Sequence, residues 1–106
     1  MAACGSEFKY GIKIKPINGV HLEDCDFEVS TYVNPNRSVV FKKKDEVHIK
    51  KIDADTYKVI VDTYNSLRIG CGTVLAQLKI HIPDGDFQDG FRTQIYKDLC
   101  TGHTLK

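Results

Sequence analysis

Carboxylates two residues apart are what an oxygen cage for a hard cation is built from. Two segments of this chain have them: Asp53-Ala54-Asp55, and Asp84-Gly85-Asp86 running on into Phe87-Gln88-Asp89-Gly90. Neither completes an EF-hand loop. Counting from Asp84, the position that needs glycine for the sharp turn is Asp89, and the position that needs a bidentate carboxylate is Ile95. Aspartate also bonds its own backbone two residues on, so both segments are expected to be turns, with no metal and no other cofactor.

Histidine and cysteine supply the remaining chemistry. His21, His48, His81 and His103 are scattered, and His48 and His81 fall on the polar parity of alternating stretches, so both are expected at the surface. The four cysteines, Cys4, Cys25, Cys71 and Cys100, form no C-x-x-C pair, which leaves neither a zinc knuckle nor a thioredoxin-type redox motif. The start, Met1-Ala2-Ala3-Cys4-Gly5-Ser6, lacks the basic and apolar stretches of an export signal, so a cytoplasmic setting and free thiols are expected. No nucleophile sits in a frame such as G-x-S-x-G, and an enzyme is not expected.

Phosphate chemistry fares no better. Lys42, Lys43, Lys44, Lys50 and Lys51 are interrupted by Asp45 and Glu46 and have no aromatic residues between them for base stacking. Gly70-Cys71-Gly72 lacks the helix and lysine of a phosphate loop. The formal net charge is only +1, so no global field collects a polyanion. The lysine cluster is expected to be a solvated turn that protects a sheet edge, and nucleic acid is not an expected partner. No apolar run approaches the roughly 18 residues of a membrane span, so no membrane partner is expected either.

The elements that carry these residues are strands. From Thr73 to Ile82, Val74, Ala76, Leu78, Ile80 and Ile82 share one parity against Thr73, Gln77, Lys79 and His81, and only Leu75 breaks the alternation. Gly72 opens this run and Pro83-Asp84-Gly85 closes it. Similar alternation predicts strands over Phe8–Ile14, Cys25–Val33, Ser38–Phe41, Val47–Ile52 and Thr56–Asp62. A seventh strand is expected to hold Phe91, Thr93 and Ile95 on one face. Asp62 is placed to cap one helical turn through Leu67. Tyr57, Val59 and Val61 with Ile60 opposite suit a strand covered on both faces, inside a sheet. Seven short strands predict an all-β, antiparallel, immunoglobulin-like sandwich, with a small β-barrel as the alternative that periodicity cannot separate. One domain is expected over 1–106, its core between about 8 and 99.

The turn and strand-end residues carry a resemblance. Asp55-Thr56-Tyr57, Val61-Asp62-Thr63, Gly70 and Gly72 before a strand ending Ile82-Pro83-Asp84, then Asp86-Phe87, Asp89-Gly90 and Arg92-Thr93 resemble small prophage and mobile-element proteins of gut bacteria. Those are similar to the β-sandwich at the start of phage baseplate or receptor-binding proteins, and the likeness spans about Tyr10 to Thr101. The resemblance implies a virion structural module that docks to other virion or co-encoded proteins, or to copies of itself, and does no chemistry. It implies a location in the cytoplasm of the producing cell or on the virion.

An open sandwich has edges to cover, and aromatic residues at its rim are typical anchors for a partner. Tyr64, Phe87 and Phe91 are therefore the candidate contact surface. The competing reading is a carbohydrate- or peptide-binding module whose end loops offer Tyr64, Phe87 and Tyr32 as stacking rings.

Overall fold

In the computed structural model, which describes residues 2–106, the strands are β1 (Phe8–Lys13), β2 (Asp26–Tyr32), β3 (Val39–Lys42), β4 (Ile49–Asp53), β5 (Thr56–Val61), β6 (Gly72–Pro83) and β7 (Phe91–Leu105). An α-helix, α1 (Thr63–Ile69), joins β5 to β6, and short 3-10 turns lie at Leu22–Asp24 and Pro35–Arg37. The strands form two antiparallel sheets, β1-β5-β4 and β3-β2-β6-β7. This is the expected seven-stranded, all-β sandwich. Its strands are shared out in a distinctive way, since β2 lies between β3 and β6, whereas the immunoglobulin order sets the second strand beside the first and fifth.

β6 is central to the larger sheet, flanked by β2 and β7. Val74, Leu78 and Ile80 are fully buried, and Ala76 and Ile82 nearly so, while Gln77, Lys79 and His81 stand on the opposite face. Phe27 and Val29 of β2 and Tyr57, Val59 and Val61 of β5 meet that apolar face from the same and the opposite sheet. Phe27 and Tyr57 touch edge to face, with ring centroids 4.9 Å apart. β5 is the middle strand of its sheet, as its two-sided composition predicts.

Turn chemistry decides where the strands stop. Asn18 and Gly19 both have positive φ, and Ile17 and Val20 exchange backbone hydrogen bonds of 2.9 Å, the pattern of a two-residue hairpin turn. Asp62 caps α1 as expected, its Oδ1 accepting from the Asn65 backbone N–H at 3.0 Å. Gly72 enters β6 with φ +134°, and a Cβ there would fall 2.6 Å from Cγ1 of Val33. No side chain fits that close approach.

The structure corrects the sequence reading at several places. β4 begins at Ile49, leaving Val47 outside it and 69% exposed, because the side chain of Asp45 bonds the Val47 and His48 amides and shapes that stretch as a turn. β7 runs on to Leu105, whose buried side chain extends the core beyond residue 99. The expectation of four free thiols fails: Cys4 and Cys71 form a disulfide, with Cα atoms 5.2 Å apart. Residues 2–4 lie along the end of β7, where Lys106 N–H donates to Ala2 and Cys4 N–H donates to Lys106, and that pairing carries Cys4 to Cys71. Cys25 is a buried free thiol and Cys100 an exposed one.

Candidate functional site

The hairpin of β6 and β7 holds two of the three candidate contact residues. Its connection, residues 84–90, is locked by its own backbone: Asp84 N–H donates to Gly90 at 2.9 Å, and Gly90 N–H donates to Phe87 at 2.9 Å. The aspartates expected to form turns do so. Oδ1 of Asp84 accepts from Asp86 N–H at 3.0 Å, Oδ1 of Asp89 from Phe91 N–H at 3.2 Å, and Oδ1 of Asp53 from Asp55 N–H at 2.9 Å. So fixed, the loop presents Phe87 at 48% exposure and feeds Phe91 into β7 at 46%.

The polarity of β7 is inverted over its first half. Phe91, Thr93 and Ile95 do share one face, and it is the outward one; Ile95 is 47% exposed. The inward parity is instead polar. Arg92 donates to Gln94 Oε1 at 3.0 Å, Gln94 donates to the Tyr96 hydroxyl at 2.6 Å, and Arg92 Nε lies 3.7 Å from Asp84 Oδ2. Ile95 thus joins Phe87 and Phe91 as a third exposed apolar group. Period-two reading finds the Phe91–Ile95 face without telling which side it takes, because the covering sheet that decides this is set by β1, β5 and β4.

Tyr64 belongs elsewhere. It sits on α1, 70% exposed with the Arg68 guanidinium 5.8 Å from its ring, at the end where β6 begins. Phe87 and Phe91 lie where β6 finishes, and a strand of 12 residues separates the two ends by roughly 35 Å. The three candidates form two surfaces, with the hairpin the richer one.

A second feature lies on the outer face of the same sheet. β7 bulges at Lys97 and Asp98 opposite Gln77, and Asp98 takes φ +54°, a left-handed conformation uncommon outside glycine. Its carboxylate accepts from the Tyr32 hydroxyl at 2.7 Å. Burial, and then this carboxylate bond, raise the Tyr32 phenol above its usual range. Ser30, Tyr32, Pro35, Ser38, Gln77, Lys97 and Asp98 line an open depression of about 310 Å³.

The histidines do not assemble a catalytic group among the described residues. His21 Nδ1 lies 2.9 Å from Asp55 Oδ1, and that hydrogen bond raises the imidazole's pKa. Cys25, four residues on, donates its thiol to the His21 carbonyl at 3.6 Å rather than to the ring, and burial raises its pKa, which opposes a thiolate. His48, expected at the surface, is instead largely covered. It stacks on Phe41 with ring centroids 4.4 Å apart and stands between Asp45, 2.9 Å from Nδ1, and Asp62, 3.2 Å from Nε2. His81 reaches Thr93 Oγ1 at 3.1 Å, and His103 the Lys9 carbonyl at 2.8 Å. Of the clustered lysines, Lys43 is tied to the carbonyls of Glu23 and Cys25, and Lys51 pairs with Glu23, so the five do not converge on one anion. Among the described residues no helix is long and apolar enough to cross a membrane.

No protein-family model, no curated protein and no solved structure matches the chain.

Proposed function

We propose that this chain is a non-catalytic assembly or attachment module acting through protein contacts at the β6–β7 hairpin. The single observation that carries this is the inverted polarity of β7. A strand that spends its polar parity inward and sets Phe91 and Ile95 outward next to Phe87 costs solubility unless a partner covers them. The setting of a phage-like particle rests on the turn-motif resemblance alone. The partners it implies are other virion or co-encoded proteins, or further copies of this chain. The Cys4–Cys71 bond suits oxidising surroundings, such as a particle surface, better than a reducing cytosol.

A pull-down of the proteins encoded beside it, read with Phe87→Ala and Phe91→Ala, tests the reading. Both variants should keep the wild-type melting temperature and lose capture, while Tyr64→Ala keeps it. Unfolding of both would place those rings in the core and remove the proposed surface. A second reading, a carbohydrate- or peptide-binding module, is favoured by the polar depression beside Asp98, whose hydroxyls, amide, ammonium and carboxylate suit a hydroxyl-rich ligand. Glycan-array binding abolished by Gln77→Ala, with no protein capture, would replace the first reading by the second.

A further inference from the structure

Four strands end the two sheets: β1 and β4 in one, β3 and β7 in the other. Three of these edges carry the devices that keep edges apart. β1 bears Lys9 and Lys13 on its outward parity, and its Lys9 carbonyl is taken by His103 of β7. β3 is only four residues long and runs into Lys42, Lys43 and Lys44. β4 has Lys50 and Lys51 and a bulge between Lys51 and Asp53. Short strands, outward lysines and bulges all discourage pairing with another chain.

β7 is protected over part of its length only. From Lys97 onward it has the bulge, and its end is engaged by residues 2–4. Before the bulge, Phe91 to Tyr96 has no proline, no bulge and no outward charge of its own, since Arg92 is turned to Asp84 and Gln94; its first amide, Phe91 N–H, is taken by the Asp89 carboxylate, which leaves Thr93 to Tyr96 as the open length. The stretch is flanked by Asp89 on one side and Lys97 on the other. A strand with an acidic start and a basic finish is complementary to itself when antiparallel.

From this we infer that the free edge of β7 pairs with β7 of a second copy, about a two-fold axis through Thr93, joining two four-stranded sheets into one. The register follows from the residues. Thr93 opposite its own counterpart sets Phe91 against Ile95 of the second copy and Ile95 against its Phe91. Such aromatic and β-branched pairs directly across a ladder stabilise it. Beyond the two ends of the ladder, this register brings the turn residue Asp89 to the end where the bulge residue Lys97 of the second copy lies, and Lys97 to the end of its Asp89. No like charges meet. The contact closes on two copies because the two-fold uses up both edges. This inference rests on the assembly reading above and names its partner.

Sedimentation velocity from micromolar to millimolar chain concentration should move the mass from the 12.0 kDa of one chain toward twice that value. Lys97→Asp, which sets two acids together at each end, should weaken association at least about tenfold, and adding Asp89→Lys should restore it. Ile95→Lys should leave a folded monomer, with thermal melts confirming that each variant still folds. In a Cys100→Ser background, Thr93→Cys should cross-link under mild oxidation, whereas Lys79→Cys, one strand inward, should not. A wild type that stays monomeric at millimolar concentration overturns the inference, as does a dimer that survives Ile95→Lys. If that monomer still captures a co-encoded protein through Phe87 and Phe91, the second-copy contact alone is wrong; if it captures none, the assembly reading fails with it.

Discussion

The hydroxyl of Tyr10 on β1 lies 2.6 Å from Oγ1 of Thr31 on β2, a buried hydrogen bond that ties one sheet to the other. Thr31 has no exposed surface, and burial pushes the Tyr10 phenol up to about 12, partly offset by this same bond. The pair fixes how far β1 slides over β2, because either hydroxyl would be left without a partner by a shift.

That pairing predicts a non-additive cycle. Tyr10→Phe and Thr31→Val should each cost about 1 to 3 kcal/mol, since each leaves one buried hydroxyl unsatisfied. The double variant, with neither hydroxyl left, should be less destabilised than the sum of the two. Urea unfolding of the four proteins measures this. Additive losses would mean that the bond is not made or that water replaces it.

Leu78 and Gln77 are neighbours on β6 and should behave as opposites. Leu78 is fully buried, so Leu78→Ala should cost about 2 to 5 kcal/mol from lost burial and the cavity left behind. Gln77 faces out, and Gln77→Ala should stay within about 0.5 kcal/mol of wild type. Equal losses in equilibrium unfolding would contradict the assigned faces.

Alternation at Leu78 and Ile80 was enough to place β6, because a strand with one buried face has to put its apolar parity there. The Asp62 cap and the aspartate turns were equally legible, being local: each bond spans two or three residues. What could not be read is what depends on distant partners. Phe91, Thr93 and Ile95 alternate as well as any core strand, yet they pair with Pro83, His81 and Lys79 of β6 and so stand on the outer face of the sheet, opposite the face that holds Leu78. His48 falls on a polar parity and is still largely covered, since Phe41 and Asp62 come to it from elsewhere in the chain. Cys4 and Cys71 are 67 residues apart, and nothing near either one announces the other.

The disulfide should show directly. Intact mass under denaturing, non-reducing conditions should fall short of the all-thiol value by two hydrogens. Reduction, or Cys71→Ser, should lower stability by about 2 to 4 kcal/mol, because a bridge across this much chain restricts the unfolded ensemble. An all-thiol mass, or an unchanged melting temperature after reduction, would remove the bridge from the account of the fold.

His48 predicts how stability depends on pH. Burial lowers its pKa, but the hydrogen bonds to Asp45 and Asp62 outweigh that and the net shift is upward. Folding therefore favours the imidazolium. This contribution is complete below the unfolded histidine value near ~6.5 and is lost as the pH rises through the raised folded value. The carboxylates run the other way. Asp45 is lowered first by its bond to His48 and Asp62 first by the Asn65 backbone N–H, so their contributions are present above ~3.9 and lost as the pH falls through the lowered folded values. Stability should be greatest between roughly pH 4 and pH 6.5 and decline on the alkaline side. His21, raised by Asp55, adds to that decline, so the decisive quantity is a difference in slope. Melting temperatures measured from about pH 5.5 to about pH 8.5 should fall for the wild type, less steeply for His48→Gln, and less steeply for Asp45→Asn, which removes one carboxylate from the clamp. A His48→Gln profile parallel to the wild type would show that the imidazole is neutral throughout and that the two aspartates hold α1 and the turn before β4 without it.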